Sequence, residues 1–340
     1  MTSPSTESLG AELHDRLNEA RRAGLVDGLH AVVVVHHGRT ALEYYGTGRD
    51  RSWFTDFGVV AFEPHTLHDL RSVTKSVVAL LYGIALGDGR VPDPAEPLRV
   101  GFPRYADLWA DPARARLTIE HALTMSLGLE WKEEVPYDSP ANAEIAMELA
   151  PDRYRYVLER PIAGPPGVVW SYCGGASALL GRLISGGTGL PLEEFAREAL
   201  FAPLGIETFE WQAGRDGVAS AASGLRLRPR DLARIGELVA AGGGWAGRAV
   251  VPSDWIDAVL RPRLPVEWGG RYGYQWYLGE SEGHRWAAAI GNGGQRLTVL
   301  PDLDLVVVVT AGNYDDPEQW RVPQAVLDQV VLPAAQAVAG

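Results

Sequence analysis

The segment SVTK (72–75) places a serine and a lysine three residues apart, where a long apolar run begins. If this segment is helical, Ser72 and Lys75 lie on one face and can meet at hydrogen-bond distance. A serine hydroxyl becomes a good nucleophile when a base takes its proton, and a neutral lysine amine is such a base. An apolar setting and a helix N-terminus would both lower the pKa of Lys75. The spacing predicts acyl chemistry on Ser72, with Lys75 as its general base.

The scarcity of lysine supports this interpretation. The chain has 31 Lys and Arg residues, of which only Lys75 and Lys132 are lysine. Arginine would serve equally well for surface charge, but a guanidinium cannot give up its proton. Lys132 lies among glutamates in LEWKEE and is interpreted as a surface residue. Lys75 is therefore the lysine whose chemistry the sequence singles out.

Other catalytic patterns are absent from the sequence. It contains no Gly-x-Ser-x-Gly elbow, no Gly-Lys-Ser/Thr phosphate loop and no His-Glu-x-x-His zinc motif. His65 and His68 have the spacing of metal ligands, but they lie near a proline with few other ligand residues. We therefore predict an enzyme with no metal and no cofactor.

Composition limits the possible partners. The 340 residues carry a formal net charge of −12, so no basic surface is expected for nucleic acid. No apolar run reaches the 18 residues that suggest a membrane span, and the N-terminal residues lack the apolar core of a signal peptide. The single cysteine, Cys173, cannot form an intramolecular disulfide. We expect a cytoplasmic protein with a small-molecule substrate and with no nucleic-acid or membrane partner, and we leave its oligomeric state open.

The periodicity of apolar residues predicts strands at both ends of the chain and helices between them. Strands are expected over 29–46 and in several short runs after residue 270, and "LPDLD" (300–304) predicts a tight hairpin. Helices are expected over 9–23, 71–86, 118–126, 141–159, 174–186, 191–200, 229–241 and 322–337. This order predicts an α/β (α+β) fold. Its antiparallel sheet lobe (1–70 and 245–340) is flanked by helices, and a helical lobe (71–244) is inserted, with the active site between the lobes.

Several segments, in order, resemble the serine β-lactamase-like, penicillin-recognising hydrolases. The resemblance is greatest to the branch of class C-like esterases and 6-aminohexanoate-dimer hydrolases. SVTK matches the first family motif, and IEHALTMSLGLEW (119–131) is similar to the segment that follows it. Residues 165–206 resemble the stretch that carries the second motif, and 224–255, YGYQWYLG and GNGGQRLTVLPDLDLVVVVT also match. The likeness extends from about residue 27 to 310 and implies the β-lactamase/transpeptidase-like fold.

The resemblance implies specific roles for the site residues. Ser72 would be the acylated nucleophile, Lys75 its proton acceptor, and Tyr172 the second-motif tyrosine that relays protons to the leaving group and from water. GNGG (291–294) would replace the third motif. The backbone N–H groups of Ser72 and of about Gly294 would then form the oxyanion hole.

Five further residues are expected to contact substrate. Tyr137 resembles a substrate-facing loop tyrosine of the dimer hydrolases, and an ordinary exposed loop tyrosine is an equally good interpretation. Trp131 and Trp276 fall near motif segments and could form the wall of an apolar pocket, although core packing also explains them. Asn292 and Gly293 belong to the third-motif segment.

Two motifs depart from the family pattern. The second motif usually reads Tyr-x-Asn, whereas this chain has Tyr172-Cys173-Gly174. The third usually begins with Lys or His, whereas Gly291 stands here, so no cation is supplied for a β-lactam carboxylate. Acyl transfer needs only a nucleophile, a base and an oxyanion hole. The sequence therefore predicts a serine hydrolase of small esters or amides. Transfer of the acyl group to an amine or alcohol, and a ligand-binding relative without turnover, remain alternatives.

Overall fold

The computed structural model describes residues 6–53, 55–137 and 139–339. The strands are β1 (Leu29–His36), β2 (Arg39–Tyr45), β3 (Thr47–Arg51), β4 (Asp56–Ala61), β5 (His68–Asp69), β6 (Glu210–Trp211), β7 (Leu225–Leu227), β8 (Gly244–Trp245), β9 (Arg248–Ala249), β10 (Leu264–Pro265), β11 (Arg271–Tyr272), β12 (Tyr277–Ser281), β13 (His284–Gly291), β14 (Gln295–Leu300) and β15 (Leu305–Ala311). The helices are α1 (Thr6–Arg22), α2 (Val73–Gly87), α3 (Ile119–Leu123), α4 (Ala143–Leu149), α5 (Arg153–Leu158), α6 (Gly174–Thr188), α7 (Leu192–Ala196), α8 (Pro229–Ala240), α9 (Ser253–Val259), α10 (Arg321–Ala325) and α11 (Leu332–Ala339).

The chain forms two compact units. One comprises the residues up to Val73, Arg226–Ala241 and the residues from Gly279 onward, and the other comprises Thr74–Leu225 and Gly242–Leu278. These boundaries differ from the expected lobes, because α8 belongs to the first unit and 245–278 to the second. In α8, a Cβ added at Gly236 would lie 2.4 Å from Val306 Cγ1, so this helix packs closely on β15. That packing places α8 in the sheet unit.

Five strands of the first unit form an antiparallel sheet in the order β13-β14-β15-β1-β2. Strand β1 pairs with β15, with Val34 opposite Val307, so the sheet joins both ends of the chain as the sequence predicted. Every residue of β1 and β15 is buried, which explains why these strands are continuous apolar runs without alternation. β14 and β15 form the expected hairpin, in which Asp304 adopts a left-handed conformation.

In the second unit, α2 is apolar all round and buried over Val73–Ala85, as its sequence predicted. It packs closely against α9, where the indole nitrogen of Trp255 donates to the carbonyl of Ala79 at 2.9 Å. The helix predicted over 141–159 is instead two helices, α4 and α5, separated at Pro151. The side chain of Asp152 accepts from the N–H of Arg155 and begins α5 as an N-cap. No helix within the described ranges is long and apolar enough to cross a membrane.

A buried histidine pair makes the stability of the first unit depend on pH. His30 Nδ1 lies 2.8 Å from His68 Nε2, and His68 Nδ1 lies 2.9 Å from the carbonyl oxygen of Asp69. Burial and the charge of His68 lower the pKa of His30 to about 3. The folded state therefore holds His30 neutral at pH values where the unfolded chain protonates it, and stability is lost as pH falls from 6.5 toward 3.

We expect the free energy of unfolding to fall by about 2 kcal/mol between pH 6.5 and 5 from His30 alone. Urea unfolding of the wild type and of His30→Gln across this range measures it, because glutamine can hydrogen-bond but cannot titrate. The variant should show the shallower dependence on pH. Equal slopes in the two proteins would contradict the assignment.

Candidate active site

Ser72 immediately precedes α2, at a tight turn of the backbone. The N–H of Arg71 donates to Asp69 Oδ1 at 2.8 Å, and the N–H of Val73 donates to the carbonyl of Leu70 at 3.1 Å. Arg71 has a φ of 50°, which is uncommon for a residue with a side chain. This turn places Ser72 at the positive end of a buried helix, the position expected for an activated serine.

Gly291, the last residue of β13, lies against this turn. A Cβ added there would be 2.5 Å from the carbonyl oxygen of Leu70 and 3.1 Å from the amide nitrogen of Ser72. Any side chain at this position would separate the strand from the nucleophile. Gly291 is therefore required for the close approach of two backbone segments.

Gly294 is a turn residue that packs against another part of the first unit. A Cβ added at Gly294 would point at Ala311, the carbonyl of Gln319 and Pro323, at 3.1 to 3.5 Å. The residue of the third-motif segment that lies against Ser72 is Gly291 instead. Gly294 has a φ of 89°, so it serves the turn between β13 and β14.

Asn292 and Gly293 occupy the same turn and are already engaged. Asn292 Nδ2 donates to Asp315 Oδ1 at 3.2 Å, and Asn292 Oδ1 accepts from the N–H of Asp315 at 3.3 Å. The N–H of Gly293 donates to Gln319 Oε1. These bonds fix the turn and place the Asp315 carboxylate beside Asn292. Asp315 is in turn paired with Arg51, so the segment that should supply a cation in the family pattern is bonded to an ion pair instead.

Lys75 is buried in the second unit, where its ammonium has oxygen partners. Nζ donates to Glu144 Oε2 at 3.1 Å and to the carbonyl of Ala222 at 2.8 Å. It also lies 4.8 Å from the centroid of the Tyr172 ring and shares a hydrogen bond with that side chain. The first turn of α2 therefore joins the predicted base to the predicted relay residue.

The expected lowering of the pKa of Lys75 is wrong. Burial does disfavour the ammonium, as we expected. However, the charge of Glu144, with smaller contributions from Tyr172 and Glu133, raises the pKa of Lys75 well above its ordinary value. The apolar run suggested an uncharged environment, but Glu144 is fully buried beside the lysine. Lys75 is therefore an ammonium in the resting protein.

Tyr172 belongs both to the site and to an aromatic cluster. Its ring packs against a cluster of Met125, Val266 and Tyr272, as does Trp170. Burial raises the pKa of Tyr172 to about 12, although the Lys75 ammonium opposes this shift. The core-aromatic and functional interpretations of Tyr172 are thus compatible, since packing fixes the ring while the hydroxyl meets Lys75.

Glu133 joins two of the predicted substrate-binding residues. Its carboxylate accepts from Trp131 Nε1 at 2.5 Å, from the Tyr137 hydroxyl at 3.1 Å and from the N–H of Gly174 at 2.6 Å. Burial, followed by the charge of Glu144, raises the pKa of Glu133 to about 7. Trp131 is buried and Tyr137 is partly buried, so both hold this carboxylate at the start of α6.

Trp276 and Cys173, which the sequence placed near the site, are both core residues. Trp276 is fully buried and donates its indole N–H to the carbonyl of Ser76 at 3.3 Å, so it is not available to form a pocket wall. Cys173 is also buried, and burial raises the pKa of its thiol, which agrees with a small residue next to the site and not a nucleophile. Both residues stabilise the surroundings of the site.

The candidate metal ligands are not brought together. His65 is exposed and lies 3.1 Å from Glu63, whereas His68 is buried against His30. Among the residues that the structure describes, no group of three His, Cys, Asp or Glu side chains could hold a metal ion.

Sequence reasoning missed Glu144 and the importance of Gly291. Glu144 and Glu148 lie four residues apart in NAEIAMELA, a helix whose other residues are mostly apolar. Two acids on one face of such a short apolar helix indicate buried carboxylates, which need partners. Gly291 could have been distinguished from Gly294 by its position, since it ends the strand and Gly294 lies in the turn that follows.

The model of the Beta-lactamase family matches residues 13–329. The chain belongs to the β-lactamase family. The resemblance and the fold class expected from the sequence are thereby confirmed, as is the class of enzyme, a serine hydrolase of the esterase and amidase type.

Three known proteins are similar to this chain over most of its length. The 6-aminohexanoate-dimer hydrolase of Paenarthrobacter ureafaciens is 26% identical over 309 residues, which are 85% of this chain and 73% of that protein. A penicillin-binding protein homologue from Caulobacter crescentus superposes with a TM-score of 0.72 at 18% identity, covering 99% of both chains. EstCE1, a hydrolase with promiscuous acyltransferase activity, gives a TM-score of 0.72 at 14% identity, covering 94% of this chain and 99% of that one.

Proposed function

We propose that this β-lactamase-family protein hydrolyses a small ester or amide through an acyl-enzyme on Ser72. One observation carries the proposal: Ser72 immediately precedes a buried helix, and the first turn of that helix holds Lys75 against Tyr172. The name of the Paenarthrobacter relative, a hydrolase of an amide-linked dimer, supports an amide or ester as the substrate class.

The proposed reaction has two stages, acylation of Ser72 and hydrolysis of the acyl-serine. Ser72 Oγ attacks the carbonyl carbon, and its proton passes to Lys75 Nζ once that amine is neutral. Tyr172 then carries a proton from Lys75 to the leaving oxygen or nitrogen, which departs as alcohol or amine. Water then attacks the carbonyl carbon of the acyl-serine. Its proton passes through Tyr172 to Lys75, Lys75 returns a proton to Ser72 Oγ, and the acid is released. The hydroxyl of Ser72 and the starting protonation are restored, so the cycle is balanced.

Charge on the carbonyl oxygen is stabilised by backbone N–H groups. The N–H of Ser72, at the helix start, is one donor, and the Gly291–Asn292 backbone is the segment placed to supply the second. We propose this segment in preference to Gly294 because Gly291 is the glycine that lies against Ser72. A strand end without a side chain allows the reacting carbonyl to lie beside the nucleophile.

The third-motif segment offers no side-chain cation to an anionic substrate, because Gly291 stands where the family pattern has one. Two acids near the site already have cationic partners: Glu144 is paired with Lys75, and Asp315, which is bonded to Asn292, is paired with Arg51. A carboxylate substrate such as a β-lactam would therefore lack the cation that the family pattern supplies. We therefore propose ester or amide hydrolysis without penicillin hydrolysis.

Fluorophosphonate labelling followed by peptide mapping tests the nucleophile. We expect one adduct, on Ser72, in the wild type and none on Ser72→Ala. Ser76→Ala is the matched control, since Ser76 lies one turn further along α2 and donates to the carbonyl of Gln275 at 2.6 Å. This variant should still be labelled.

Steady-state hydrolysis of nitrophenyl butyrate tests turnover with the same variants. Continuous product release that Ser72→Ala abolishes would support the proposal. A single burst equal to the enzyme concentration would identify a relative that traps the acyl group without turnover. Labelling at another residue would overturn the mechanism.

A further inference from the structure

Gly174 stands where the family pattern has the asparagine of Tyr-x-Asn, and a side chain there would have to displace two carboxylates. A Cβ added at Gly174 would lie 2.5 Å from Glu144 Oε2 and 2.8 Å from Glu133 Oε1. Real Cβ atoms do not approach oxygen so closely. Two carboxylates from earlier in the chain therefore fill the space that a side chain at this position would enter. The absence of the second-motif asparagine and the presence of Glu133 and Glu144 at this position are therefore linked.

Of the two acids, Glu144 contacts the predicted base. Its Oε2 accepts from Lys75 Nζ at 3.1 Å, and its Oε1 accepts from the Ser223 hydroxyl at 2.5 Å. The side chain is fully buried in the first turn of α4, whose N-cap Asn142 accepts from the N–H of Glu144 at 3.0 Å. Packing and hydrogen bonds thus fix the carboxylate in one position.

We propose that Glu144 takes the place of the missing asparagine, holding Lys75 and receiving the proton that Lys75 must release to act as base. This inference rests on the proposed function of Lys75. Glu144 acts through the lysine and is a positioning residue. An asparagine could hold the amine but could not accept its proton.

The proton step is internal to the pair. One Nζ–H bond of the Lys75 ammonium breaks and an O–H bond forms on Glu144 Oε2, leaving the electron pair on Nζ. This pair at first faces the new O–H of Glu144. Rotation about the Cε–Nζ bond then turns the pair away to accept a proton, while an N–H donates again to Glu144 or to the carbonyl of Ala222. Two neutral groups replace two buried charges, and no proton is exchanged with solvent.

The partners of Lys75 account for its resting charge. Within the described part of the chain, the titratable groups that act on it most strongly are Glu144 from α4, Tyr172 before α6, and Glu133 from the loop before α4. Burial opposes the charge and Glu144 is the strongest of the groups that favour it. An ammonium held in this way cannot serve as base at neutral pH unless a nearby group accepts its proton.

Glu144→Gln tests the proposal, because glutamine keeps the shape and the hydrogen-bond acceptor but cannot take a proton. We expect kcat for a nitrophenyl ester to fall about 100-fold or more at pH 7, the size of a lost proton-transfer step. The remaining kcat should rise about tenfold per pH unit, since Lys75 must then lose its proton to solvent, whereas the wild type should be flat over pH 6.5–8.5. Glu144→Asp, which keeps the carboxylate, should recover part of kcat and the flat profile.

Glu148→Gln is the matched control. Glu148 is a buried acid one turn further along α4, but it bonds to Ser220 Oγ at 2.7 Å and pairs with Arg153. This variant should keep the wild-type pH profile even if its stability falls. A Glu144→Gln enzyme with wild-type or higher kcat, or with an unchanged profile, would overturn the inference. Absence of a Ser72 adduct in the wild type would instead overturn the proposed function.

Discussion

Replacing Lys75 by arginine is expected to lower kcat/KM for a nitrophenyl ester by about four orders of magnitude, the upper range for loss of a general base. Arginine keeps the positive charge opposite Glu144, so the buried ion pair can persist. It cannot become neutral, so it cannot accept the proton of Ser72. The variant thus separates the acid–base role of the lysine from its charge.

Circular dichroism, urea unfolding and ester hydrolysis should be measured on Lys75→Arg together with two other variants. Lys132→Arg changes the other lysine, which is exposed, and should leave both activity and stability unchanged. Lys75→Met should be inactive and also less stable by about 3–5 kcal/mol, because Glu144 is left without its counter-charge in the interior. A folded Lys75→Arg protein that retains more than a tenth of wild-type kcat/KM would contradict the assignment of Lys75 as base.

The sequence predicted the large features of the fold because they depend on local patterns. The valine runs of β1 and β15 indicated buried strands, and the apolar sequence of α2 indicated a buried helix. The order of these segments, with strands at both ends, predicted a sheet built from distant parts of the chain. The resemblance then supplied the motif positions. Local patterns could not predict how the segments between the motifs pack. This packing places α8 in the same unit as the sheet.

The site was predicted less completely, because its electrostatics depend on residues far apart in sequence. Glu144 lies 69 residues from Lys75, and no spacing rule joins them. The apolar neighbours of Lys75 in α2 suggested a lowered pKa, whereas the acid supplied by α4 raises it. The third-motif segment shows a similar limit. The resemblance supplied the position of GNGG, but only the turn geometry shows that Gly291 lies against Ser72.

Gly291→Ala is expected to lower kcat by about 100-fold or more, comparable with the loss of one oxyanion-hole donor. The added methyl group would lie 2.5 Å from the carbonyl oxygen of Leu70 and 3.1 Å from the amide nitrogen of Ser72. These are backbone atoms at a tight turn and cannot move aside as a flexible side chain could. The end of β13 must therefore shift away from the nucleophile and take its backbone donors with it.

Overpacking also costs stability, so Gly291→Ala needs a control that is crowded elsewhere in the same unit. Gly236→Ala serves this purpose, because its methyl group would meet Val306 Cγ1 at 2.4 Å on the α8 side of the sheet. Both variants should lose about 1–3 kcal/mol of unfolding free energy. The loss of kcat, and a slower reaction of Ser72 with fluorophosphonate, should appear in Gly291→Ala alone. Equal kcat in the two variants would show that Gly291 serves packing only, and the second oxyanion donor would have to come from another segment.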